Sequence, residues 1–363
     1  MADTPQTDTP QARAPQAGAT ETGATGTGDG AQARGARRVV TFTANPSIDR
    51  TVALPGPLAR GEVQRAASVT EQAAGKGVNV ARVVAEAGVD AVAVAVLPFG
   101  DPGYRVMLDA AVPATMSVSA PQVQHRPRTN TAITEPGGTT TKINEPGPTL
   151  SADDLAAATD QLLEAASGAA WVALSGSLPP GAPDDWYARL AAALRPLGTK
   201  IAIDTSDAAL DAVLAALPAS SFDLIKPNSD ELAQLTGGDA AAFEAAAADG
   251  DVADIVVAAT RLRDRGIANV LVTLGGAGAV LVNAEGAWHA SAPRISVAST
   301  VGAGDSSVAG FILGDVTGMP PAGCLAHAVA YGSAAASLPG TTLPTPADLP
   351  AGEVGVTNLT ITA

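Results

Sequence analysis

Cysteine is almost missing from this 363-residue chain: Cys324 stands alone. No intrachain disulfide framework can form, and a reducing compartment is expected. Aromatic residues are only 3% of the chain although hydrophobic residues reach 46%, so the core must be packed mainly from Ala and Val. Long apolar runs are absent too. The longest, Ala91 to Leu97, falls far short of the roughly 20 residues that a bilayer-spanning helix needs. Basic residues number 21 against 36 acidic ones, a net charge of −15, which argues against nucleic acid or an anionic membrane as a partner. Met1 to Arg38 has no apolar segment of the kind a secretory leader requires. These shortages point to a soluble cytoplasmic protein.

Two nucleotide signatures are also missing. Gly75-Lys76-Gly77 lacks the following Ser/Thr and the earlier Gly of a Walker loop, and no G-x-G-x-x-G follows the first apolar strand. His125, His289 and His327 are isolated, so no His/Cys metal cluster is expected. Lysine is scarce: Lys76, Lys142, Lys200 and Lys226 are the only four, against 17 Arg. Three of them fall inside motifs, while Lys200 merely opens a strand.

What is present follows a regular order. Residues 1–37 are Ala, Thr, Gly, Gln and Pro, too polar to offset the entropy of ordering, and read as a disordered tail. Arg38 to Thr43 reads as a buried strand. Exposed alternation over Thr51–Leu54, Glu62–Ser68 and Thr129–Asn144, the last turning at Pro136-Gly137-Gly138, suggests strands outside the core. A helix opens after Ala73-Ala74-Gly75-Lys76-Gly77, and strand 90–97 and helix 103–111 follow. Helices at 151–167, 183–195, 207–217, 229–236 and 252–266 then alternate with strands at 171–176, 200–205, 223–227 and 269–274. A further strand pair runs to about 290, and two closing helices follow. Such β-α succession predicts a mostly parallel sheet with helices on both faces and a small β lid at about 50–70 and 128–146. One domain over 38–345 is expected, with 346–363 as an extension.

Ligands of parallel sheets bind beyond the carboxyl ends of the strands. Strand ends here carry Asn45 to Asp49, Ser175 to Ser177, Asp204, Lys226 to Asn228 and Thr273 to Gly275. Near the C-terminus, Thr300-Val301-Gly302-Ala303-Gly304-Asp305 precedes an apolar helix, whose unpaired N–H groups suit a phosphoryl group. A carboxylate in that nest repels phosphate, and it makes sense as the acceptor of a hydroxyl proton. Lys226 can meet a phosphate. Asn228 and Glu231 either hold hydrated Mg²⁺ or form an N-cap with an acidic first turn. Arg128 and Lys142, near the outer ends of the hairpin, can clamp an anion together.

These blocks, in this order and spacing, resemble the PfkB carbohydrate kinases of the ribokinase superfamily. They are Asn45-Pro46-Ser47-Ile48-Asp49, Gly75-Lys76-Gly77-Val78-Asn79, Ser175-Gly176-Ser177-Leu178-Pro179-Pro180-Gly181, Lys226-Pro227-Asn228-Ser229-Asp230-Glu231 and Thr300 to Ser306. Arg128-Thr129-Asn130 and Thr139 to Pro148 are similar to members acting on fructose 1-phosphate. The resemblance implies a ribokinase-like fold and ATP-dependent conversion of fructose 1-phosphate to fructose 1,6-bisphosphate. Fructose 6-phosphate, tagatose 6-phosphate or a non-catalytic sugar-phosphate-binding role are the alternatives. It implies Asp305 as base, with Gly302, Ala303 and Gly304 as the anion hole. Asp49, Gly75, Lys76, Asn79 and Asn130 would lie on the sugar, and Arg128 and Lys142 on its phosphate. Lys226, Asn228, Thr273, Gly275, Gly278, Val329 and Ser333 would serve ATP, and Asn228 and Glu231 Mg²⁺ through water. Ala74 stands where the family usually has Gly. A homodimer through the lid is expected, since exposed lid strands need cover.

Overall fold

The computed structural model describes residues 38–88 and 93–359. The expected tail, 1–37, lies outside the described residues, as does the start of the strand expected at 90–97. In chain order the elements are β1 (Val39–Thr43), β2 (Ser47–Ala53), β3 (Ser68–Ala74), α1 (Lys76–Glu86), β4 (Ala93–Val96), α2 (Pro102–Asp109), β5 (Met116–Ser119), β6 (Arg128–Thr134) and β7 (Thr140–Asn144). Then come α3 (Ala152–Ala166), β8 (Trp171–Ser175), α4 (Trp186–Leu194), β9 (Lys200–Asp204), α5 (Asp207–Ala215), β10 (Leu224–Ile225), α6 (Ser229–Thr236), α7 (Ala240–Ala248) and α8 (Ala253–Asp264). The chain closes with β11 (Asn269–Thr273), β12 (Ala279–Asn283), β13 (Ala287–Ala290), α9 (Ala303–Val316), α10 (Pro321–Ser337) and β14 (Val356–Leu359).

The main sheet has ten strands in the order β14-β13-β12-β11-β10-β9-β8-β1-β4-β5. It is parallel from β5 to β11, and β12, β13 and β14 add antiparallel to that edge. Both faces are buried, as parallel strands require. Val40, Phe42, Val172, Leu174, Ile201 and Ile203 point into a core beneath α3, α4, α5, α6 and α8. Val39, Trp171, Ala173 and Ala202 face a second core made by α1, α2, α9 and α10. Glycines let α9 and α10 pack closely: a Cβ on Gly310 would lie 2.6 Å from the His327 carbonyl oxygen, and one on Gly314 2.9 Å from Cys324 Cα. Among the described residues no helix is long and apolar enough to cross a membrane.

The exposed strands join as a separate four-stranded sheet, β3-β2-β6-β7, tied together by parallel pairing of β2 with β6. Its second strand runs over Ser68–Ala74, not Glu62–Ser68. Antiparallel pairing with β2, Ser47 opposite Ala74 and Ala53 opposite Ser68, fixes that register. Residues 62–67 form an exposed loop instead, where Gln64 Oε1 accepts from the Ala59 N–H at 2.9 Å. The stretch expected as an extension supplies β14, which covers the outer edge of β13. β5 and β14 are not evident from local pattern, and α7 adds an Ala-rich helix, capped by Asp239, between those expected at 229–236 and 252–266.

Candidate active site

The parallel register builds the floor of the site. Thr43 on β1 pairs with Ser175 on β8, and Ser175 pairs with Asp204 on β9. Lys226 directly follows Ile225, the partner of Ile203, and so falls beside Asp204. Four strands therefore end in a row of polar side chains, all buried, on the face that α1 and α9 cover.

Two helix starts meet above this row. α1 begins very close to β1: a Cβ on Gly77 would sit 2.6 Å from Thr43 Oγ1 and 2.9 Å from the Phe42 carbonyl oxygen, so no larger residue fits. This approach puts Lys76 Nζ 3.3 Å from Asp204 Oδ2, while Lys226 Nζ lies 3.6 Å from Asp204 Oδ1. α9 begins at Gly302 (φ 77°), and its first turn carries Asp305, 6% exposed. The Asn79 side-chain amide donates to Asp305 Oδ2 at 2.8 Å. Gly304 lies against the Lys226 ammonium, where a Cβ would come within 3.2 Å of Nζ.

The charges settle unevenly. Burial, and then the neighbouring Asp204, push the Asp305 carboxyl up to about 6, against the pull of Lys76, Asn79 and Lys226. Asp204 is equally buried, but Lys226 and Lys76 outweigh that burial and hold it below the usual carboxylate range. Lys76 is raised, chiefly by Asp204. Asp305 thus has the higher proton affinity of the two acids, at the tip of a helix whose N–H groups favour an anion.

One face of the lid continues the site. Asp49 Oδ1 accepts from Ser47 Oγ at 2.9 Å and from Asn130 Nδ2 at 3.1 Å. Arg128 pairs in register with Ser47, and Ala74, opposite Ser47 on the other side, shares that face. Burial lowers the Arg128 guanidinium, with Asp49 opposing. The Ala74 carbonyl accepts from the buried Tyr104 hydroxyl at 2.8 Å. Lys142 also lies on this face, but it pairs with Ala132, four residues beyond Arg128. About 13 Å of strand separates the two cations, so they meet on one anion only by leaning toward each other.

On the other flank, Asn228 and Glu231 form a capping box. Asn228 Oδ1 accepts from the Glu231 N–H at 2.8 Å, and Glu231 Oε2 accepts from the Asn228 N–H at 2.9 Å. The N-cap alternative is therefore realised, and Asn228 Oδ1 is already engaged. Among the described residues no group of three or more His, Cys, Asp or Glu could cage a metal. Glu231 Oε1 remains for a cation that keeps most of its waters, which suits Mg²⁺ and no ion needing a protein cage. Thr273 continues from the same rim through a bridge to Asn228. Gly275 faces open space, whereas Gly278 (φ 96°) is pressed against the Ala290 carbonyl oxygen and is needed for chain packing. Val329, buried in the core, and the half-buried Ser333 lie one turn apart on α10.

Asp204 is the residue that motif reading passes over. Its one local signal is an acid closing the apolar strand Ile201-Ala202-Ile203, a costly residue at a strand end unless paired.

The fold is that of solved phosphofructokinases. The structure of phosphofructokinase-2 from Escherichia coli in complex with fructose-6-phosphate superimposes with a TM-score of 0.74 at 28% identity, covering 86% of this chain and 96% of that one. The family model "pfkB family carbohydrate kinase" matches residues 43–348, and the chain belongs to that family. Similar curated proteins include the 1-phosphofructokinase of Xanthomonas campestris, 37% identical over 80% of this chain and 89% of its own length. That of Rhodobacter capsulatus is 37% identical over 86% and 95%.

Proposed function

We propose that the chain is a cytoplasmic, ATP-dependent kinase of fructose 1-phosphate, producing fructose 1,6-bisphosphate. The observation that carries this reading is Asp305: buried, raised toward neutrality and held by Asn79 at the start of α9. Binding alone has no use for a carboxylate in an anion nest, so a regulatory protein is the poorer reading. The relatives named 1-phosphofructokinase favour the 1-phosphate.

In this mechanism Asp305 takes the proton as the sugar's free hydroxyl oxygen attacks the γ-phosphorus and the bond to ADP breaks. The Gly302, Ala303 and Gly304 N–H groups stabilise the transferring phosphoryl oxygens. Asp49 and Asn130, already bonded to each other, orient ring hydroxyls beside Gly75 and Asn79. Arg128 and Lys142 hold the existing phosphate. Lys76 and Lys226 neutralise the ATP phosphates, and Thr273, Gly275, Val329 and Ser333 line the nucleotide. Glu231, beside the Asn228 cap, would hold Mg²⁺ through water, and the ion would supply charge neutralisation at the phosphates.

Fructose in its β-furanose form has a near twofold axis relating C1 and C6, so a site of this kind accepts a 6-phosphate turned over. An assay panel of fructose 1-phosphate, fructose 6-phosphate and tagatose 6-phosphate with Mg-ATP tests the choice. We expect kcat/KM for fructose 1-phosphate to lead by at least roughly tenfold, about 1.4 kcal/mol. Preference for a 6-phosphate would overturn the substrate and leave a kinase.

The lid's outer face supports a homodimer. Val69 and Ile143 are 50% and 57% exposed there, beside half-buried Val52 and Ile133. They lie opposite the face that carries Asp49 and Asn130, so a second copy's lid can cover them without blocking the site.

A further inference from the structure

Asp204 has no part in the chemistry above, yet it sits at the centre of the site's charge. It ends β9 and is 4% exposed. Lys76 reaches it from the start of α1 and Lys226 from the end of β10. A carboxylate buried this deeply is tolerable only when paired, and here it is paired twice. The two ammoniums are the same ones that phosphate needs. Lys226 is buried while Lys76 is 41% exposed, so Lys76 is the ammonium at the mouth.

We propose that Asp204 is a positioning counter-ion that competes with ATP phosphate for Lys76 and Lys226. The inference rests on the kinase reading of the site. Two carboxylates, Asp204 and Asp305, face two ammoniums, Lys76 and Lys226, and Asn79 is the remaining polar group bonded to Asp305. Phosphate binding must draw the lysines from Asp204, which weakens the ground-state complex. The same negative charge raises the proton affinity of Asp305. Asp204 thus worsens binding and improves proton abstraction, a division that favours kcat over affinity.

That division gives the test. In Asp204→Asn the competitor is gone and the pocket carries an extra positive charge. KM for ATP should fall by about 3- to 10-fold, as should the dissociation constant of adenosine 5′-(β,γ-imido)triphosphate measured by calorimetry. Meanwhile kcat should fall by about 3- to 30-fold, because a weaker base abstracts the proton less well. The acid limb of kcat/KM should move down by about one pH unit. Lys226→Met, which leaves Asp204 less compensated, should move that limb up by a similar amount and raise KM for ATP. A purely structural Asp204 would lower the melting temperature and the active fraction while leaving KM and the limb in place, and that result would overturn the proposal. If Asp204→Asn does not fold, Asp204→Ser carries the same test: a lower KM for ATP with a lowered limb supports the proposal, and an unmoved KM and limb overturn it. Failure of the wild type to phosphorylate any sugar phosphate is a separate result, and it removes the kinase reading.

Discussion

Asp305 is ionised at neutral pH in a place that disfavours the charge, and that cost is measurable. Its native proton affinity, near pH 6, exceeds the ordinary carboxylate value of 3.8. The native state therefore holds the proton more tightly than the unfolded chain, and stability is lost as pH rises from about 4 to 6. Asp305→Asn should remove the loss, making the variant more stable than wild type by ~1–3 kcal/mol above pH 7, with the gap closing toward pH 4. Thermal melts across that range would show it, and a constant gap would contradict it. The same variant should lose kcat by about 10²–10⁴-fold while ATP affinity stays within a few-fold, since shape is kept and the proton acceptor is lost. A kcat within about tenfold of wild type would remove Asp305 as base. Lys142→Ala should weaken every phosphorylated sugar with little effect on ATP, read as a rise in KM for the sugar alone.

At the scale of elements, α9 is tied at both ends. Its last turn carries Asp315, a carboxylate at the helix end that disfavours it. Lys200 Nζ lies 2.8 Å from both Asp315 oxygens, and the Trp171 indole N–H donates to Oδ2 at 2.8 Å. Lys200 Nζ also stands 5.5 Å from the centroid of the Trp171 ring. The lysine that merely opens β9 thus anchors the far end of the helix that carries Asp305. Asp315→Ala should cost about 1–3 kcal/mol in chemical denaturation, mostly through the orphaned indole N–H, with kcat nearly unchanged. A large kcat loss in folded Asp315→Ala would mean that the anchor also sets the position of Asp305. The Gly275–Gly278 turn offers a sharper contrast. Gly278→Ala should fail to accumulate folded protein, since its Cβ would overlap the Ala290 carbonyl, while Gly275→Ala, strained only by its left-handed φ of 54° and facing open space, should fold with a loss of about 1 kcal/mol.

For the whole molecule, the dimer proposed through the lid is the property to measure. An outer lid face with Val69 and Ile143 exposed calls for a partner, while a net charge of −15 discourages indiscriminate association. Light scattering at micromolar concentration should give the mass of a dimer, and Ile143→Glu should give that of a monomer. A monomeric wild type would refute the lid interface and leave the site untouched.

The sequence by itself determined what depends on short range. Alternation of apolar runs set the β-α order, paired glycines marked where α1 and α9 begin, and Asp305 was marked by a carboxylate in an anion nest. The rim of strand ends followed, because parallel sheets bind there. Tertiary structure alone decided what depends on register and on charge brought from afar. Thr43, Ser175, Asp204 and Lys226 are distant in sequence and become neighbours only through strand pairing. The strand Ser68–Ala74 takes its place from β2, not from its own alternation. Residues 356–359 become a strand because β13 offers an open edge. Asn228 and Glu231 suited a cap or a cation equally well in sequence, and only the structure shows them exchanging hydrogen bonds with each other's backbone N–H as a cap. Asp204 shows the limit most clearly: its meaning lies in the two ammoniums beside it, and each arrives from a different strand or helix.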